Sequence, residues 1–246
     1  MSALTYLITG ANRGIGKAVL KTLIITPRTT VIAAVRDVEK STEDLKSVQV
    51  GERSKLIVVK IDSLSESDPS KAVSELESRY KIARIDVLIS NAGILNVMAS
   101  TLETSAQDVR DHIEVNTIGP LNLIKAFKSL LEASPDPKFF VITAHLGSIT
   151  DMESLPFPTF AYGASKAAAN YLVRKIHFEN PWLTSMAFNP GLVQSDMGNG
   201  AAVRLGLERA PVTLKESADS LVKIFETASR ETSGKFIQFT GEPIPW

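Results

Sequence analysis

Cysteine is absent from the 246 residues, which excludes a disulfide framework, a thiolate nucleophile and a thiolate-bound metal. Histidine is scarce, and the three present (His112, His145 and His177) show no metal-ligand spacing. No excess of one charge exists either. Twenty-seven basic residues balance 27 acidic ones, so bulk charge draws the chain neither to nucleic acid nor to an anionic membrane. No apolar run approaches the roughly 18 residues that suggest a membrane span. Ser148, His145 and Asp151 lack the Gly-x-Ser-x-Gly elbow of a serine hydrolase. The first core strand begins near Tyr6, so the expectation is a chain without a leader, at home in the cytoplasm.

What is present is a repeating alternation. Apolar, β-branched runs at 6–8, 31–35, 56–61, 87–89, 139–143, 184–188 and 236–239 are separated by helical patterns at 14–24, 69–80, 106–131, 162–178 and 214–228. Strands that are apolar throughout, rather than alternating, are those buried on both faces of a sheet. With 44% hydrophobic residues and no linker or repeat, the chain reads as one α/β domain, 1–246. The expected architecture is a doubly wound parallel sheet of about seven strands with helices on both faces. In such sheets a ligand lies beyond the carboxyl ends of the strands.

Two motifs sit at those ends. Thr9-Gly10-Ala11-Asn12-Arg13-Gly14-Ile15-Gly16 joins the first strand to the first helix. Glycines there allow a tight turn and close backbone approach, while free N–H groups and the helix dipole attract a pyrophosphate. The spacing is Gly-x-x-x-Gly-x-Gly, not the Gly-x-Gly-x-x-Gly of the dinucleotide fingerprint. Far along the chain, Tyr162-Gly163-Ala164-Ser165-Lys166 precedes an alanine run that favours helix, placing Tyr162 and Lys166 on one face. A free phenol with a pKa near ~10 exchanges protons poorly at neutrality. A cation beside it favours the phenolate, which suits an acid/base catalyst.

Together with Asn91-Ala92-Gly93, Val115-Asn116-Thr117-Ile118-Gly119 and Asn189-Pro190-Gly191-Leu192-Val193-Gln194-Ser195-Asp196-Met197, these residues resemble the short-chain dehydrogenase/reductase family nearly end to end. The ending, from Gly234-Lys235-Phe236 to Pro245-Trp246, is similar to the carbonyl-reductase and C-signal-like branch. The resemblance implies a Rossmann-type fold and reduction of a ketone or aldehyde. Tyr162 would be the proton donor, Lys166 would hold the nicotinamide ribose and lower the tyrosine pKa, and Asn116 would support the lysine through water. Gly119-Pro120 makes a kink there plausible, because proline removes an N–H and crowds the preceding turn. The cofactor would be held by Gly10, Asn12, Arg13, Gly14, Ile15, Gly16, Asp62, Ser63, Asn91, Ala92, Gly93, Pro190, Gly191, Val193 and Ser195.

Arg36, directly after the second strand, together with Arg13 favours NADP(H), because an arginine there accommodates a 2′-phosphate whereas an acid would bind the 2′-hydroxyl. Asp37 is the dissenting residue. Ile94-Leu95, Leu155 to Pro158 and Met197 would give the substrate side an apolar character. A homodimer or homotetramer through the helices at 106–131 and 162–178 is the family's usual assembly.

The chain departs from the family at the fifth strand, where the expected Ser-Ser-x-x-Gly reads Thr143-Ala144-His145-Leu146-Gly147. Ala144 stands at the catalytic serine and can neither donate nor accept. Loss of one oxyanion donor costs on the order of 10²–10³ in rate. Three accounts stand open: Thr143, His145 or Ser148 supplies the missing bond; the alanine is an introduced change; or the chain has left redox turnover and serves as a cofactor-binding regulator or non-redox enzyme. His112 and His177 read as satisfied helix residues.

Overall fold

A computed structural model describes residues 4–246. Seven strands form one all-parallel sheet in the order β3-β2-β1-β4-β5-β6-β7. They are β1 (Leu4–Thr9), β2 (Thr29–Val35), β3 (Lys55–Lys60), β4 (Val87–Ser90), β5 (Lys138–Ile142), β6 (Thr184–Asn189) and β7 (Phe236–Gln238). The order reverses between β1 and β4, which opens a crevice at the carboxyl ends of those strands.

Eight α-helices cover the sheet: α1 (Gly14–Ile24), α2 (Val38–Leu45), α3 (Asp68–Ser78), α4 (Ala106–Ile113), α5 (Gly119–Glu132), α6 (Phe160–Glu179), α7 (Asp196–Arg204) and α8 (Leu214–Thr227). Because successive strand residues face opposite sides, each strand feeds two cores. Tyr6 and Ile8 pack with Leu20, Leu23, Leu221 and Phe225 of α1 and α8. Leu7 packs on the other face with Leu76, Phe127, Leu131 and Val173 of α3, α5 and α6. Phe140, Phe188 and Phe225 form a ring cluster, with centroids 4.8–5.2 Å apart.

The long helical pattern at 106–131 is divided. One turn of π-helix, Glu114–Ile118, separates α4 from α5, and Gly119 N–H donates to Glu114 O across it. Pro120 has no N–H to return to the carbonyl of Asn116, and its ring crowds that carbonyl; a widened turn relieves both. Val115 and Asn116 are thereby turned into the protein and buried. α2 and α7 fall where no helical pattern is evident. α2 is short, with only Ser41 and Leu45 buried, and α7 carries Gly198 and Gly200 inside it.

Candidate active site

A cavity of about 930 Å³ lies along the carboxyl ends of the strands and is lined by Gly10 and Arg36 as well as by Phe157 and Leu207. Tyr162 and Lys166 line it, one turn apart on α6 and both buried (8% and 4% exposed). Small residues let α6 approach this closely. A Cβ at Gly147 would stand 2.8 Å from the Lys166 carbonyl carbon, and one at Gly163 would stand 2.9 Å from Leu146 O.

The phenol and the ammonium respond to burial in opposite senses. Lys166 Nζ lies 5.7 Å from the Tyr162 ring centroid and donates to Ile142 O at 3.0 Å. Desolvation raises the Tyr162 pKa above its usual value and lowers that of Lys166 to about 8. The expected lowering of the tyrosine pKa is therefore not a property of the protein by itself. Burial outweighs the cation, and Tyr162 stays protonated, the form a proton donor requires.

Asn116 does not line the cavity. Its side chain accepts from Ile94 N (2.8 Å) and donates to Ile94 O (3.0 Å) and Ser165 Oγ (2.9 Å). Ser165 Oγ in turn donates to Tyr162 O. The π turn thus fixes both the strand-end segment at Ile94 and the first turn of α6. A further holding contact comes from His112, which sequence reasoning leaves without a task. It is buried, bonded to Asp108 O and Asn96 N, with its ring edge-on to Tyr162 at 6.5 Å.

Around Ala144, the three possible substitutes for the serine separate. Thr143 lines the cavity, and its buried Oγ1 has no hydrogen-bond partner. His145 also lines it, with Nε2 2.7 Å from Asp151 Oδ2. Ser148 does not. Its hydroxyl donates to Pro245 O at 2.7 Å and accepts from Asp151 N at 3.1 Å, so it fastens a loop to the C-terminal segment and the serine role expected of it is corrected.

The other half of the cavity is backbone-lined. Gly10 (φ +65°) and Gly14 (φ +55°) adopt the left-handed conformation that favours glycine. Arg13, the N-cap of α1, makes no side-chain cap bond, and no acid occupies the first turn, so the N–H groups there face the cavity end uncapped. Asn12, Ile15, Asp62, Ser63, Asn91, Ala92, Gly93, Pro190, Gly191, Val193 and Ser195 line the same cavity.

Gly16 is the exception. A Cβ there would lie 2.5 Å from both Asn91 Nδ2 and Gly10 O, so this glycine is required by packing of the turn, and it does not line the cavity. Asn91 ties β4 to β1 through Thr9 O. A Cβ at Gly93 would lie 3.0 Å from Asn116 Oδ1 and crowd that amide.

At the end of β2, Arg36 lines the cavity and Asp37 does not. The Asp37 carboxylate caps α2 by accepting from Lys40 N at 3.0 Å. Arg13 reaches Asp196 across the cavity mouth at 3.4 Å, an exposed pair of little intrinsic strength. Of the apolar residues singled out in the sequence, Ile94, Leu95, Phe157 and Met197 line the cavity, whereas Leu155, Pro156 and Pro158 stand outside it. Ala201, Leu205 and Leu207, from α7 and the loop after it, complete the wall. They were missed because three glycines between 198 and 206 mask the helical pattern.

The model of the family described as short chain dehydrogenase matches residues 5–204. The norsolorinic acid ketoreductase of Dothistroma septosporum is 43% identical, covering 98% of this chain and 92% of its own length. The norsolorinic acid ketoreductase of Emericella nidulans is 40% identical, covering 98% and 93%. Among solved structures, the NADPH-bound carbonyl reductase from chicken fatty liver superimposes with a TM-score of 0.85 at 25% identity, over 100% of both chains.

Proposed function

The chain belongs to the short-chain dehydrogenase family, and on that premise we propose that it is an NADPH-dependent carbonyl reductase whose general acid is Tyr162. The observation that carries this reading is a single cavity joining the uncapped glycine turn to a buried, protonated Tyr162 beside Lys166.

The residues fit a dinucleotide. Gly10, Gly14 and the first N–H groups of α1 make a cradle for the pyrophosphate, which a side chain at Gly10 or Gly14 would strain. Arg36 and Arg13 both line the cavity and would meet a 2′-phosphate, while Asp37, the acid next to Arg36, is outside the cavity and caps α2. Thr143 Oγ1 is a buried hydroxyl still owed a partner. When bound, NADPH supplies the two electrons and one hydrogen that reduce the carbonyl carbon. Tyr162 gives its hydroxyl proton to the carbonyl oxygen, so that R₂C=O becomes R₂CHOH. Lys166 is the nearest cation to the phenolate that remains, and Asn116 and Ser165 hold the helix turn that carries both residues. Leu95, Phe157 and Met197 would offer the substrate an apolar wall.

The relatives named for norsolorinic acid make that compound the first ketone to try. NADPH oxidation should follow its addition, or that of another ketone in a broad panel. Tyr162→Phe should remove turnover while leaving NADPH affinity nearly unchanged, because the phenol acts on the substrate oxygen. Substantial turnover by Tyr162→Phe would transfer the acid role elsewhere. Ala144 favours a second reading, a cofactor-binding protein without redox turnover. Tight NADPH binding with no oxidation across the panel would select it.

A further inference from the structure

A carboxylate–imidazole pair stands in the wall of the cavity, beside the position from which the serine is missing. His145 follows Ala144 directly and lines the cavity, and its Nε2 is 2.7 Å from Asp151 Oδ2. Asp151 is acceptor-only when ionised, so Nε2 carries the hydrogen of this bond. In the neutral ring the other nitrogen, Nδ1, is then an acceptor, and among the described residues nothing bonds to it.

The pair is held rather than incidental. Ser148 Oγ accepts from Asp151 N and donates to Pro245 O. Both N–H and Oγ1 of Thr150 donate to Trp246 O. The backbone at Thr150 and Asp151 is thereby tied to the C-terminal segment, and Asp151 is held beside His145. The arrangement has the carboxylate and imidazole of a catalytic triad but no protein hydroxyl in third place.

We infer that the substrate supplies that hydroxyl: His145, oriented by Asp151, accepts a hydrogen bond from an O–H group borne by the ketone, so that the preferred substrates are hydroxylated ketones, phenolic ones above all. A phenol suits the site because it is a stronger donor than an alcohol and its ring is compatible with apolar Leu95 and Phe157, which line the same cavity. The inference rests on the carbonyl-reductase reading and narrows its substrate class. A site built to accept a substrate O–H discriminates against the analogue that lacks it. His145 is about one-third exposed, which puts the expected discrimination near tenfold rather than at the far larger values of sealed sites.

The test is steady-state NADPH oxidation by the full chain with ortho-, meta- and para-hydroxyacetophenone and with norsolorinic acid, each hydroxyacetophenone run beside its methyl ether. For at least one isomer, kcat/KM should exceed that of the methyl ether about tenfold. His145→Phe, which keeps a ring but no acceptor, should bring the ratio close to one. Asp151→Asn places an amide against Nε2 that can donate to it, turning Nδ1 into a donor; the ratio should then fall below one, since the ether oxygen can accept.

A merely structural role for the pair would lower both rates together and leave the ratio in place, and that outcome overturns the inference. So does a wild-type ratio near one for every isomer. If no ketone is reduced, with norsolorinic acid included, the reductase reading itself fails and the inference with it. Retained NADPH affinity in each variant separates lost selectivity from lost fold.

Discussion

A buried ammonium is costly, and Lys166 shows how much the site sacrifices for it. Burial holds its pKa near 8 instead of the ordinary 10.5, which corresponds to at most about 3–4 kcal/mol against the charged form, taking roughly 1.4 kcal/mol per pH unit. The native state therefore binds fewer protons than the unfolded chain between those two values, and stability rises with pH across that window. The contribution is fully present above the unfolded pKa and is lost as pH falls through about 8. Lys166→Met should accordingly raise the unfolding free energy at pH 7 by about 1–3 kcal/mol while ending turnover, the usual exchange between stability and activity. Urea titrations at pH 8 and pH 10 should show the wild type gaining stability and the variant gaining much less; equal slopes would remove Lys166 from this account. A second residue-scale expectation concerns Arg36. Arg36→Ala should weaken NADPH at least tenfold, about 1.4 kcal/mol, with little effect on NADH. Equal losses for both cofactors in a fluorescence titration would take the 2′-phosphate away from this side chain. Tyr162, Lys166 and the arginines were legible in the sequence because their chemistry is carried by residue type and spacing. The places of Gly16 and Ser148 are not legible there, because a glycine that packs and a glycine that cradles read alike, and because no local pattern shows that Pro245, 97 residues on, accepts from Ser148.

The strands and the helices α1, α3, α6 and α8 were plain in the sequence, since each buries a continuous apolar run or stripe and the run states the period. The π turn was legible only as a break at Gly119-Pro120. Its five-residue width, and the burial of Asn116 that follows from it, depend on what α4 and α5 pack against. α7 escaped because glycines at 198 and 200 hide it, yet the two are unlike. A Cβ at Gly198 would lie 1.9 Å from Val193 O, whereas one at Gly200 meets nothing within 4 Å. Gly200→Ala should therefore stabilise by about 0.5–1 kcal/mol through helix propensity alone. Gly147→Ala provides the contrast. Its methyl group would strike the backbone between Lys166 and Ala167 at 2.8–2.9 Å and push α6 away from the 145–147 turn. Overpacking of this kind costs about 1–3 kcal/mol, and kcat should fall further than stability alone accounts for, because Tyr162 moves with the helix. Thermal melts and kinetics on the two variants decide it; a neutral Gly147→Ala would mean that α6 is not seated by that glycine.

At the scale of the molecule, the expectation that copies of the chain associate turns on the apolar residues left outside the core. Leu121, Ile124, Phe127 and Leu131 share a helical stripe that sequence alone leaves divided between core and interface. Phe127 and Leu131 are fully buried in the monomer's own core, and Leu121 and Ile124 are partly covered, so that stripe is mostly spent within the monomer. α6 is different. Tyr171 and Phe178 stand 70% and 65% exposed, seven residues apart and hence on one side of the helix. Phe178 is not a loose ring, because Arg174 lies over it at 5.2 Å and over Trp246 at 5.5 Å, which fixes the outer surface of α6 to the C-terminus. A rigid aromatic pair is what association needs at its centre, since little side-chain entropy is lost when such rings are covered. Two rings bury about 300–500 Å², short of the roughly 800 Å² per partner of a stable interface, so the exposed flanks of α4 and α5 must contribute the remainder. The expected species is a dimer, or a pair of dimers, joined across α6. Light scattering should give at least twice the 26.7 kDa of the chain, and Tyr171→Glu with Phe178→Glu should return it to that value, since two like charges would face each other across a two-fold axis. A wild-type protein that stays at 26.7 kDa at high concentration would leave these rings without a partner of their own kind.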